Sequence, residues 1–205
     1  MIELHTGNTS NGQRAAIILE ECGLPYRVHK YDLFKGEQKT PEFLAINPAG
    51  AIPAIVDPDG PGGAPIKLAQ SCAILMYAAE KTGKFLPKGA AARALAMQWL
   101  MQAATDVSPA SAGVFFNAVL LPEKSDSNGK FFNDRLVKFL NDCDRQLSGV
   151  DYLAGDLSVA DFALYPVYAA RKKIVDEMGG FENLKAWGER MAARPGVQKG
   201  MQAAA

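Results

Sequence analysis

The chain opens on a short half-apolar stretch, IELH at residues 2–5, turns polar through GNTSNGQR at 7–14, and then becomes periodic in AAIILEEC. From about Asn11 to Cys22 the apolar positions recur at helical spacing, and Gly23 with Pro25 beyond it ends the run. The pattern predicts strand, loop, helix. YRVHKYDL (26–33) alternates as a strand does, and TPEFLAIN (40–47) reads as a short helix with Pro41 in its first turn. AIPAIVD (51–57) is apolar and β-branched, DPDGPGGAP (57–65) is dense in turn residues, and IKLA (66–69) is placed to return as the second strand of a hairpin. The sheet therefore mixes parallel and antiparallel pairing. QSCAILMYAAEKTG (70–83) closes this part as a helix ending at Gly83, and KFLPKGA reads as a linker.

From Ala90 onward no strand pattern appears. The segments at 91–104, 133–147, 158–175 and 183–193 all carry helical periodicity. In LSVADF, Ser158 is set to cap a helix, Asp161 lies in its first turn, and Leu157 and Phe162 occupy the staple positions, so the motif reads as a folding signal. SDSNG (125–129) reads as an exposed loop. The fold class is α/β plus all-α, with a first domain at 1–83, a linker at 84–89 and an all-helical domain at 90–205.

Composition narrows the function. With 205 residues and 48% hydrophobic content the chain can bury a full core. Lys plus Arg equal Asp plus Glu at 22 each, which leaves no basic field for nucleic acid. No apolar stretch approaches the roughly 20 residues that span a bilayer, and MIELHTG does not resemble a signal peptide, so a cytoplasmic location is expected. Cys22, Cys72 and Cys143 are odd in number and widely spaced, which fits reduced thiols. Cys22 and Cys143 share helical faces with apolar residues and are expected to be buried, and Cys72 reads as structural. With His5 and His29 as the only histidines, no metal centre is expected.

AIPAIVD, QSCAIL continuing into MYAAEKTG, and YLAGDLSVADF resemble, each at its place in the chain, counterparts in the cytosolic glutathione S-transferases. The resemblance covers essentially the whole chain. TSNG followed by YDLFKGEQKTPEFLAINP is most similar to the bacterial nu-class, or yeast prion-regulator-like, branch, some of whose members reduce disulfides with glutathione. The resemblance implies a thioredoxin-like first domain, a helical bundle second domain, a homodimer, and glutathione as substrate beside a disulfide or a small electrophile. A glutathione transferase with disulfide reductase activity is the leading expectation. The alternative is a regulatory or binding protein that keeps the fold without the chemistry.

The resemblance also distributes roles. It implies a cis bond at Ile52-Pro53, leaving the Ile52 main chain to pair with the cysteinyl part of glutathione. X-Pro is the one bond where cis costs as little as about 0.5–1 kcal/mol, although Pro53 also reads as a plain strand start. Gln70 and Ser71 open a helix and read equally as an N-cap alone or as a place whose free N–H groups attract a carboxylate, which the resemblance assigns to the γ-glutamyl group. Many relatives carry Glu or Asp where Gln70 stands. Gln38 and Lys39 are candidates for the glycyl carboxylate, or plain surface residues. Phe115 and Phe116, within SPASAGVFFN, are candidates for the acceptor pocket, or ordinary packing.

A thiol near the reference value of about 8.5 is only about 3% ionised at pH 7, whereas a value of about 6.5 gives roughly three quarters thiolate. That difference is about 2.7 kcal/mol, within reach of a hydroxyl and an N–H donor at a helix start. Many family members use a tyrosine at the end of the first strand; here His5 and Thr6 stand there. Thr9 aligns with the serine of other branches, Asn11 offers a second donor, and Ser10 is the near rival. The competing reading of all three is helix capping, with Ser10 or Asn11 the expected cap if Thr9 holds sulfur.

Overall fold

The computed structural model describes residues 1–205. Four strands form one sheet in the order β2-β1-β3-β4, with β1 Ile2–Thr6, β2 Tyr26–Lys30, β3 Ala54–Asp57 and β4 Ile66–Ala69. β1 runs parallel to β2 with Leu4 opposite Val28, and antiparallel to β3 with Leu4 opposite Ile55. β3 and β4 form the expected hairpin, Ile55 opposite Leu68. β2 is shorter than the YRVHKYDL pattern predicts. Asp32 ends it by accepting from the backbone N–H groups of Phe34 and Lys35, while its own N–H goes to Glu37 Oε2 at 2.7 Å.

α1 (Ser10–Cys22) and α3 (Ser71–Thr82) end at Gly23 and Gly83, both left-handed. α2 (Pro41–Leu44) is one turn, capped by Thr40 and pinned by the fully buried Phe43. The core around the sheet holds Leu4, Ile17, Ile18, Ile55, Ile74 and Leu75.

The helical part comprises α4 (Ala90–Met101), α5 (Ser108–Phe115), α6 (Asp126–Gln146), α7 (Val159–Met178) and α8 (Glu182–Ala192). α4 and α5 are joined by a π-helical turn at Gln102–Val107, and a second follows at Phe116–Leu120. The first has a covalent cause. Pro109 has no N–H to give the carbonyl four residues back, and the widened turn relieves its ring while Ser108 Oγ donates to the Ala103 carbonyl at 2.6 Å. SDSNG, expected as a loop, is instead the start of α6: Ser125 Oγ accepts from the Asn128 N–H at 3.2 Å, a helix cap that outweighs the turn character of Asn-Gly.

LSVADF folds as its pattern predicts. The buried Asp161 carboxylate accepts from the N–H groups of Leu153 and Ser158, from Ser158 Oγ, and from Trp187 Nε1 at 2.9 Å. Burial pushes this carboxyl up, and the four donors pull against that.

Two compact units result: Met1–Leu86 with Ala192–Ala205, and Pro87–Met191. The returning tail is α9 (Pro195–Ala204), which the sequence patterns leave unassigned. It packs on α1, where Gly200 comes so close that a Cβ would lie 2.5 Å from the Ile17 backbone. Arg194 grips the buried Glu21 carboxylate with two bonds, of 3.0 and 2.6 Å. No helix is long and apolar enough to cross a membrane.

Candidate functional site

The turn from β1 into α1 is built on a close approach. A Cβ on Gly12 would lie 2.3 Å from the Gly7 carbonyl and 2.4 Å from Thr6 Oγ1, so only glycine lets the helix begin hard against the strand end. Thr9 is extended (φ −138°, ψ 154°) and caps α1, its Oγ1 accepting from the Gly12 N–H at 3.0 Å. The cap is thus Thr9, and neither Ser10, the first helical residue, nor Asn11 takes that role. Thr9 keeps a second use, because a hydroxyl that accepts through a lone pair still has its proton to donate. Thr9 and Ser10 are half-buried and Asn11 is exposed.

His5 and Thr6, at the strand end, are both buried. The His5 ring is bonded to Tyr31 Oη at 2.9 Å and stacks on His29, and burial, then the neighbouring His29, pull its pKa below the usual histidine value. The Tyr31 hydroxyl is therefore engaged by the His5 ring.

α3 brings the second part of the site. Gln70 has φ 72° and ψ 114°, a conformation that costs a residue with a side chain about 1–3 kcal/mol. This strain, invisible in sequence, turns the chain sharply from β4 into α3. The first N–H groups of α3 have no partner within the helix, and with the helix dipole they make an anion seat beside Ser71. Ser71, 6% exposed, donates to Asn11 Oδ1 at 3.3 Å, which joins the two helix starts. Beneath both lies Arg14, which the sequence patterns pass over as a polar position in the first turns of α1.

The Ile52-Pro53 bond is cis, and Ile52 lies before β3 without pairing to another strand. Asn47 braces this loop, its amide donating to the Ala51 carbonyl at 2.6 Å and accepting from the Ala49 N–H. Ile52 reaches back to the opening loop, its Cδ1 3.0 Å from where a Cβ on Gly7 would stand. Lys39 lies along Gly50, its Nζ 2.8 Å from the corresponding Cβ position, and Gln38 carries a buried Oε1 without a hydrogen-bond partner. Thr9, Ser10, Asn11, Gln70 and Ser71 thus gather at two helix starts, while Ile52 and Pro53 lead into β3 beside Gly7, and Gln38 and Lys39 lie against Gly50.

Phe115 and Phe116 belong to the helical unit, with ring centroids 6.2 Å apart and 36% and 49% exposure. Phe116 lines an apolar cavity of about 380 Å³ with Leu120, Leu121 and Phe132; Phe115 does not. Two of the three thiols lie in the core. Cys22 and Cys143 are buried as expected, which pushes the Cys22 thiol up and that of Cys143 up to about 12. Cys72 is half-buried, and all three are free.

Family comparison agrees with this geometry. The family descriptions "Glutathione S-transferase, N-terminal domain" and "Glutathione S-transferase, C-terminal domain" match residues 10–81 and 113–202. The disulfide-bond oxidoreductase YfcG of Escherichia coli (strain K12) is 34% identical over 197 residues, 95% of this chain and 92% of that protein. A glutathione transferase from Pseudomonas putida, solved with one glutathione disulfide bound per subunit, superposes with a TM-score of 0.91 at 32% identity, covering 98% of this chain and 90% of that one. Another, from Burkholderia graminis with two glutathione molecules bound per subunit, gives 0.91 at 33% identity, with 98% and 87% covered. With matches of this extent along both domains, the chain belongs to the glutathione S-transferase family.

Proposed function

We propose that the chain is a glutathione-dependent enzyme that holds the glutathione sulfur as thiolate for attack on disulfides and small electrophiles, with disulfide reduction the main activity. The observation that carries this reading is Thr9. Its oxygen caps α1 through the Gly12 N–H, its proton is left to donate, and the positive end of the helix favours an anion there. With His5 bonded to Tyr31 and no cysteine in the loop, Thr9 and then Asn11 are the donors for the sulfur, with Ser10 the rival. The N–H groups at Ser71, with Gln70, receive the γ-glutamyl end. The Ile52 main chain ahead of Pro53 pairs with the cysteinyl part, and Gln38 and Lys39 receive the glycyl carboxylate. For the apolar part of the second substrate the candidates are Phe115 and Phe116.

The thiolate attacks one sulfur of the disulfide, forming a mixed disulfide and releasing the other sulfur as a thiolate. A second glutathione thiolate then attacks the mixed disulfide, giving glutathione disulfide and the second reduced thiol. The protein's part is to raise the thiolate fraction and orient the attack. The relatives' activities and bound molecules support this reading. A homodimer in the cytoplasm is part of the same proposal; Leu95 and Met101, exposed on α4, are apolar positions available to it, whereas Trp99 and Leu100 belong to the core.

The test is turnover of hydroxyethyl disulfide with glutathione and a recycling reductase, run beside conjugation of chlorodinitrobenzene. Disulfide turnover exceeding conjugation is expected. Glutathione binding without turnover of either would leave a binding or regulatory role.

A further inference from the structure

Arg14 is 2% exposed, and its guanidinium meets two residues on which the proposed reading relies. Nη1 donates to Asn11 Oδ1 at 2.7 Å and to Ser71 Oγ at 3.4 Å, and Ser71 Oγ itself donates to Asn11 Oδ1 at 3.3 Å. A guanidinium has donors and no acceptor, so only the carbonyl end of the Asn11 amide can face it. The two ends of an unconstrained asparagine amide exchange by a half-turn about the last side-chain torsion. Here that half-turn would bring two N–H groups against a buried cation. The Asn11 oxygen is therefore held inward, and the NH₂ end, with two protons to donate, is left at the other side of an exposed side chain. The opposite orientation would offer an oxygen to the sulfur, which a thiolate repels.

We propose that Arg14 is the positioning residue of this site: it fixes the polarity of the Asn11 amide so that its NH₂ end serves the glutathione sulfur, and it ties that amide to Ser71 at the head of α3. The inference rests on the reading that Asn11 donates to the thiolate. It assigns a task to a buried arginine that touches no reacting atom.

The test is the titration of enzyme-bound glutathione, followed by thiolate absorbance in the ultraviolet. The signal of the protein alone is subtracted, because Cys72 is within electrostatic reach of Arg14. Arg14→Met is expected to raise the thiol pKa by about one unit, a tenfold fall in ionisation. Asn11→Ala should give a similar rise and the double variant no more than either alone, because the two changes remove one interaction. Arg14→Lys, which keeps a donor, should recover most of the effect. Independent, additive shifts would overturn the proposal, as would an unmoved titration in Arg14→Met beside a moved one in Asn11→Ala. If Asn11→Ala leaves the titration unmoved, the assignment of Asn11 as a donor is what fails, and the role of Arg14 goes with it. Asn11→Asp tests the contact without altering Arg14. A carboxylate there gains an ion pair with the guanidinium, so the thermal midpoint should rise while the thiol pKa climbs above that of the alanine variant; a lowered midpoint would refute the contact.

Discussion

At the scale of single residues, Thr9 carries two tasks with one hydroxyl: it accepts from the Gly12 N–H to cap α1, and in the proposed reading it donates to sulfur. These separate by substitution. Thr9→Ala loses both, so about 1 kcal/mol of stability should go with the cap, and a charge-assisted bond of about 1.5–3 kcal/mol should cost disulfide turnover roughly 10- to 100-fold. Thr9→Asp keeps a good cap but offers no proton and sets a negative charge beside the thiolate. Its unfolding midpoint should match or exceed that of the parent while turnover collapses; an active Thr9→Asp enzyme would remove Thr9 from the mechanism. The sequence places Thr9, Ser10 and Asn11 as candidates through the family resemblance, in which Thr9 aligns with the serine of other branches, because GNTSNGQR itself offers several hydroxyls and amides before the helix. It cannot assign the cap, which depends on how closely Gly12 approaches the end of β1.

At the scale of elements, α9 is the part of the fold the sequence conceals. Its apolar positions are sparse, and what docks it is a small residue: Gly200 lets two helix backbones approach, and Arg194 fixes the helix start on Glu21. A glycine in a helix usually gains about 1 kcal/mol on becoming alanine. Gly200→Ala should reverse that sign, because the added methyl would stand 2.5 Å from the backbone of Ile17, and overpacking costs about 1–3 kcal/mol. A net loss of up to about 2 kcal/mol in denaturant unfolding is expected, and a gain would mean that α9 is free to shift. The π turn before Pro109 illustrates the same limit from the other side. The proline is plain in sequence, but whether it breaks, kinks or widens a helix depends on how the preceding turn repacks, here with the N–H and Oγ of Ser108 both directed at the Ala103 carbonyl.

At the scale of the whole molecule, pH dependence of stability should reflect a polar cluster that fastens β3 to α3. Asp57, 2% exposed, accepts from Tyr77 Oη at 2.5 Å and pairs with Lys81 at 3.0 Å. Burial opposes ionisation of Asp57, but the bonds from Tyr77, the Asp59 N–H and Lys81 prevail and hold it below 3.8. Its contribution is complete above the unfolded value and is lost as pH falls through the depressed one. Tyr77 has the opposite sign. Burial, then the bond to Asp57, push it to about 12, so the folded state retains a proton the unfolded chain releases, and stability declines as pH rises from 10 toward 12. Tyr77→Phe should lower the neutral plateau by about 1–2 kcal/mol and flatten both limbs in urea unfolding measured across pH. Unchanged limbs would show that the cluster does not govern the profile.

The sequence by itself determined the strands and most of the helices, because a period of two or 3.6 is imposed by backbone geometry and is legible wherever one face is buried. It also determined the family, through segments such as AIPAIVD and YLAGDLSVADF that keep their places in the chain. What only the tertiary structure decided is which elements cover those faces and which distant polar atoms meet. Periodicity marks a buried face and is silent about its neighbour, so the return of α9 to α1 had no local signature. The meeting of Arg14 with Ser71, 57 residues away, is likewise set by the sheet order that brings two helix starts together. Through that meeting the local pair of Arg14 and Asn11, three residues apart on α1, is tied to the head of α3.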